Sequence, residues 1–146
     1  MTTNPLSVRS GFLLRQIAVA DSRNLSRMLA PMNLRPVEAV VLQIVAANPN
    51  VTQATVGRMI GIAAPNMCPL ITKLSERGLI RRLPRGRRTV GLLLTGNGQS
   101  LVRKVSKVTE HHDAAFLARV PASHRRSFVA ALRVLSNMEP AGARRS

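Results

Sequence analysis

Aromatic residues are almost absent from this chain. Its 146 residues include no tryptophan, no tyrosine and three phenylalanines, Phe12, Phe116 and Phe128. Proteins that hold single strands stack bases on aromatic rings. Their scarcity disfavours that mode and leaves duplex binding through backbone contacts and groove insertion. Acids are scarce too, six against 22 lysines and arginines, for a formal charge of +16. Such an excess points to a polyanionic partner, nucleic acid before an anionic membrane surface. So few carboxylates, with no nucleophile–base pair signalled, argue against an enzyme.

Cys68 is the single cysteine, so no internal disulfide can form and a reducing compartment fits. Met1 to Ser10 lacks the apolar centre of a signal peptide. The longest apolar stretch, Ala39 to Ala47, contains Gln43 and is too short to cross a bilayer. A soluble cytoplasmic protein with no membrane partner is expected. His111, His112 and Asp113 are adjacent, about 100° apart on a helix, which makes a poor chelate. No metal and no cofactor are expected.

The chain contains six helical patterns and one hairpin. Phe12, Leu13, Ile17, Ala20, Leu25, Met28 and Leu29 recur at helical spacing within Leu6 to Leu29, and Pro31 and Asn33 close that helix. Pro36 opens a second helix at a first-turn position, with Val37, Val40, Val41, Ile44 and Val45 as its buried stripe. Leu42 makes it apolar on much of its surface and therefore central. Thr52 caps a third helix ending at Gly61, with Val56, Met59 and Ile60 inward. A fourth begins near Ala64-Pro65, carries Met67, Leu70, Ile71 and Leu74 on its core face, and stops at Gly78. Thr95 begins a fifth, reaching about Arg119, with Leu101, Val102, Val105 and Val108 on one face. Ala122 or Ser123 opens a sixth, whose stripe is Phe128, Val129, Leu132, Leu135 and Met138; a basic tail follows from Pro140.

Between the fourth and fifth helices lie Arg81, Arg82, Arg85, Arg87 and Arg88, flanked by Leu79-Ile80 and Val90 to Leu94. That reads as a hairpin with a cationic tip at Pro84 to Arg88. From Ala39 to Thr109 there is one acid, Glu76, while Glu38 and the others lie towards the ends. The middle of the chain is the expected contact surface. Two short helices, a tight turn and a hairpin form a winged helix-turn-helix. The major groove admits the second helix, and arginines suit the minor groove.

Leu34-Arg35-Pro36, Leu74-Ser75-Glu76-Arg77-Gly78-Leu79-Ile80-Arg81-Arg82, Gly86-Arg87-Arg88, and Leu94-Thr95 with Gly98 resemble the MarR family of multiple-antibiotic-resistance regulators. The resemblance implies a mainly α fold. A winged helix-turn-helix core at 34–95 would carry a β-hairpin wing, flanked by long dimerisation helices at 5–30 and 96–139, all within a single domain spanning 1–146. It implies a homodimer that binds palindromic double-stranded DNA as a repressor. A small-molecule effector, often an aromatic carboxylate or phenol in that family, would tune binding, with Phe12 and Arg15 as candidate pocket residues. Arg87 and Arg88 align with the family's groove-reaching pair. Gly86 stands where the family usually has an acid, and Pro69 where it often has a polar or basic base-contacting residue.

The expected DNA-binding residues are Thr52, Gln53, Asn66, Cys68, Thr72, Lys73, Arg85, Arg87 and Arg88. Thr52 and Gln53 suit phosphate binding at a helix start as well as simple capping. Cys68 is a redox sensor or a plain small residue. Arg81 and Arg82 face opposite sides of a strand, so at most one points at DNA and both fit a flanking role. Lys73→Ala is expected to reduce affinity with little effect on the fold. The alternative reading is a non-specific nucleic-acid-coating protein. A membrane-surface protein needs its cations on one helix face, whereas here they crowd a hairpin.

Overall fold

A computed structural model describes residues 4–137. Among the described residues, six helices and three strands run in the order α1 (Ser10–Leu29), α2 (Pro36–Ala47), β1 (Val51–Thr52), α3 (Gln53–Ile60), α4 (Ala64–Glu76), β2 (Ile80–Pro84), β3 (Val90–Leu94), α5 (Gly96–Ala118) and α6 (Arg125–Ser136), with 3-10 turns at Ala30–Met32 and Ala122–His124. The fold is mostly helical, as expected. The chain divides into two compact units, Met1–Glu110 and His111–Ser146. Met138 and the basic tail from Pro140, like the end of the expected 96–139 segment, lie outside the described residues.

Local chemistry explains most of the boundaries. Pro36 begins α2, and the Glu38 carboxylate accepts the Arg35 backbone N–H at 2.8 Å, half of a capping box. Thr52 caps α3 by accepting the Thr55 N–H at 3.2 Å. Gly61 and Gly78 close α3 and α4 with φ of 69° and 67°. Thr95 Oγ1 accepts the Gly98 N–H at 3.0 Å and so starts α5. At Gly98 a side chain would run into the Leu79 carbonyl, so the family-like Leu94-Thr95 with Gly98 marks where helix and strand backbones meet.

The core of the first unit is built from Leu29, Ala39, Val41, Leu42, Val45, Val56, Met67, Leu70, Ile71, Leu74, Leu79, Ile80, Leu92 and Val105, with Leu34 and Val102 at its margin. Each large side chain in it contributes about 1.5–3 kcal/mol by leaving water. The α4 stripe of Met67, Leu70, Ile71 and Leu74 is buried as the spacing predicts. Two inward expectations need correction. Met59 is 59% exposed, because the buried side of α3 is centred on Val56 and Gly57, which turns Met59 outward. Val40 lies on the outer side of α2 and is also exposed. In α1 only Leu29 is buried; Leu13 and Ile17, 41% and 43% exposed, belong to an apolar side that the single chain leaves uncovered.

The sheet has one more strand than the expected hairpin. The hairpin is joined by a third strand, giving the antiparallel order β1-β3-β2. Val51 pairs with Leu92 and Thr52 with Gly91, while Ile80 to Pro84 pair with Leu94 to Val90. Two residues carry no alternating pattern of their own. β1 exists because β3 offers it an edge.

In the second unit, Phe116 and Phe128 rings stand 6.2 Å apart in a tilted pair. Arg125 donates from Nε to the carbonyls of Leu117 and Val120 and from Nη2 to that of Ala118, satisfying acceptors left over at the end of α5. Along α6 no residue is buried. No single helix among the described residues is long and apolar enough to cross a membrane.

Candidate nucleic-acid interface

Three elements of the first unit hold the expected contact residues. The wing tip is Arg85-Gly86-Arg87-Arg88-Thr89, shifted one residue from the expected Pro84 to Arg88 because Pro84 still pairs with Val90. The Arg85 N–H donates to the Thr89 carbonyl at 2.6 Å, and Gly86 turns the chain with φ 79°. That left-handed conformation disfavours side chains other than glycine's, which accounts physically for glycine where the family usually has an acid. Arg87 and Arg88 are exposed and bond to no described residue, so both guanidiniums can reach a ligand.

Arg85 behaves differently. Its Nη1 donates to the Asn50 carbonyl at 3.1 Å, which ties the wing to the turn before β1. Asn50 itself has φ 68° and donates its N–H to the Leu92 carbonyl at 2.9 Å. The α3 start and the wing are therefore joined twice, by the β1–β3 ladder and by Arg85.

At that α3 start, Thr52 is the observed cap and its hydroxyl is shared with Thr55 Oγ1 at 2.9 Å. Arg58 donates to Thr55 Oγ1 at 3.1 Å, which places a cation beside Thr52 and Gln53. The sequence reading did not single out Arg58. Its signal would have been the three-residue step from Thr55, which stacks the two side chains on one helix face.

On α4, Asn66, Cys68, Pro69 and Lys73 are exposed and Thr72 is half-buried. The helix runs through Pro69 without a break, although Pro69 cannot donate to the Pro65 carbonyl. Pro65, Cys68 and Pro69 are exposed on α4 and between them offer one weak donor. Arg82 compensates: its Nη2 donates to Thr72 Oγ1 at 3.1 Å. The flanking role expected for Arg82 therefore needs revision, since its guanidinium lies against α4, whereas Arg81 is exposed without such a bond. Strand alternation held the signal. Ile80 is buried beneath α4, and Arg82, two residues on, shares its side.

Lys73 also departs from a free DNA contact. Its Nζ lies 2.8 Å from Glu38 Oε1, and Arg35 Nη2 reaches the same oxygen at 3.2 Å. The Glu38 side chain is fully buried. Burial pushes its carboxyl up, but the Arg35 backbone N–H, the Lys73 ammonium and the Arg35 guanidinium outweigh that and hold it below its ordinary value of 4.5. Glu38, placed by sequence with the peripheral acids, is buried against Lys73 of α4.

Two grooves flank α4. One of about 510 Å³ lies between α3 and the start of α4, against Gly57, Ile62 and Met67. The other, about 410 Å³, lies between the start of α2 and α4, against Arg35, Pro69 and Lys73. Phe12 is half-buried and Arg15 exposed, and neither lines these grooves. Among the described residues no group of three metal-ligating side chains converges.

Comparison with known proteins agrees with this geometry. The sequence model of the MarR family matches residues 32–89, from the end of the first 3-10 turn to the base of β3. A Thauera aromatica protein, named as a candidate transcriptional regulatory protein for the hcr operon, is 26% identical over 128 residues, covering 86% of this chain and 77% of that protein. The repressor CouR, solved on a 23-mer DNA duplex, superposes with a TM-score of 0.86 at 24% identity, covering 94% of this chain and 99% of that one. The Mycobacterium tuberculosis MarR-family protein Rv2887, solved with p-aminosalicylic acid, gives a TM-score of 0.71 at 26% identity, covering 89% and 100%.

Proposed function

We propose that this chain, a transcriptional regulator of the MarR family, works as a homodimeric repressor that grips a palindromic duplex operator and is released by a small aromatic acid. One observation carries the DNA reading. The unpaired Arg87 and Arg88, the Arg82 guanidinium on α4 and the α3 start lie on elements joined by β1–β3 pairing and by the Arg82 and Arg85 hydrogen bonds. Arg87 and Arg88 enter a minor groove, α4 lies in the adjacent major groove, and Gln53 with Arg58 meets phosphate beside the α3 amino terminus. Asn66, Thr72 and Arg82 are the donors available for base edges, and Cys68 supplies an apolar or weak contact. Thr52 and Arg85 act mainly by holding α3 and the wing in place.

Exposed apolar residues support the dimer. Leu13, Leu14 and Ile17 on α1, and Val134 and Leu135 on α6 at 69% and 51%, are open to solvent. A second copy would cover them and set the two recognition helices about 34–36 Å apart, one turn of DNA. The effector reading rests on relatives: CouR has been solved with p-coumaroyl-CoA and Rv2887 with salicylic acid. Phe12 and Arg15 remain the proposed pocket residues, with the ring stacking on Phe12 and the carboxylate meeting Arg15. The proposed location is the cytoplasm.

Pro69 and the +16 charge favour one second reading, a sequence-indifferent coat on nucleic acid. Selecting duplexes from a random pool with the purified protein separates the two. A regulator enriches a two-fold symmetric site and sediments on it as a dimer; a coat enriches no sequence.

A further inference from the structure

We propose that Glu38 is a positioning residue for the recognition helix, and that it takes up the charge of Lys73, so that Lys73 serves the joint between α2 and α4 instead of a DNA phosphate. The proposal rests on the DNA-binding reading above and deepens it. Both oxygens of Glu38 are used: Oε2 accepts the Arg35 N–H at 2.8 Å, and Oε1 receives Lys73 Nζ at 2.8 Å and Arg35 Nε at 3.2 Å. One buried carboxylate thus fixes the first turn of α2 and the middle of α4, 35 positions apart in the chain.

The energetics are asymmetric. Lys73 is 49% exposed, so its ammonium gains little simply from being near water and could be solvated elsewhere. Glu38 has no such freedom. If Lys73 swung out to a phosphate, a carboxylate with no access to solvent would keep only Arg35, and removing one partner from a buried ion pair is strongly unfavourable. Lys73 is therefore held by what it would leave behind. The same bond fixes the rotation of α4 about its axis, and with it the direction in which Asn66, Cys68 and Thr72 face.

Salt dependence distinguishes a sequestered lysine from a phosphate contact, because each phosphate contact contributes about 0.9 to the slope of log affinity against log salt. The experiment measures that slope on a short random-sequence duplex for wild type, Lys73→Gln, Glu38→Gln and the double variant, with urea unfolding of each. Glu38→Gln keeps the shape and an acceptor for the Arg35 N–H, so it is expected to fold. Its freed lysine should steepen the slope by on the order of one contact. Lys73→Gln should leave the slope unchanged while lowering the unfolding midpoint, and the double variant should be more stable than the sum of the single losses implies. A slope that falls by about 0.9 in Lys73→Gln and does not change in Glu38→Gln would make Lys73 a phosphate contact and overturn the proposal while leaving the DNA reading intact. If Lys73→Gln fails to fold, the Glu38→Gln slope alone decides. Wild-type protein that binds no duplex overturns the functional reading, and this proposal with it.

Discussion

The wing tip and α4 differ in the free donors they present. At the wing tip two arginines bond to no described residue, around a glycine whose φ of 79° shapes the turn. On α4 the exposed side chains include Pro65, Cys68 and Pro69, its one lysine is paired with buried Glu38, and a guanidinium is borrowed from β2 through Arg82 and Thr72. Phosphate and minor-groove contacts give grip that is largely indifferent to sequence, whereas base-edge donors in the major groove give discrimination. On the proposed reading, affinity and specificity rest on separate elements and can be changed separately.

The largest effect should come from removing the grip. Arg87→Ala with Arg88→Ala should flatten the salt slope by about 1.8 if both meet phosphate, with an unchanged unfolding midpoint. A steep residual slope would shift the grip from the wing to α3. Next comes the helix. Pro69→Ala restores an N–H inside α4 and removes a residue that costs up to about 3 kcal/mol in a helix interior. It should stabilise the protein in urea without improving discrimination, whereas Pro69→Arg should sharpen discrimination by on the order of 1–3 kcal/mol per base pair read. Gly86→Val should strain the tip by about 1–2 kcal/mol and weaken DNA binding while leaving α4 intact, which amide exchange of the two elements would resolve.

The smallest effect is on pH. Because the folded carboxyl of Glu38 lies below its ordinary value of 4.5, its contribution to stability is complete above that value and is lost as pH falls through the lowered one. Unfolding midpoints of wild type and Glu38→Gln should converge on acidification below pH 4.5 and stay separated at neutral pH. A constant separation would mean that Glu38 ionisation contributes nothing to the joint.

Much of the fold was legible because its determinants are local. Pro36, Thr52, Gly61 and Gly78 each act within one helical turn, and the Met67, Leu70, Ile71 and Leu74 spacing names its own buried face. The family-like residues from Leu34 to Gly98 placed the wing. What escaped depends on partners distant in sequence. β1 is two residues long and needs β3. Glu38 and Lys73 are 35 positions apart and look like a peripheral acid and a surface base until α2 and α4 pack. Met59 matched the apolar spacing, yet the rotation of α3 is set by Gly57, against which Met67 and the Ile62 carbonyl sit closely. In α1 the periodicity of Leu13 and Ile17 shows an apolar side but not what covers it. For the candidate interface, Arg87 and Arg88 were singled out by the charge cluster and the family resemblance and are exposed, whereas the tethering of Arg85 and the reach of Arg82 to α4 required the sheet.

The most direct measurement compares wild-type affinity for its selected duplex and for a random duplex across a salt series. Steep, nearly parallel lines are expected, with the selected site tighter at every salt concentration by a factor near the lower end, about 10³, of the range for specific binders. Equal affinity for both duplexes at every salt concentration would contradict this, because binding would then be counterion release alone.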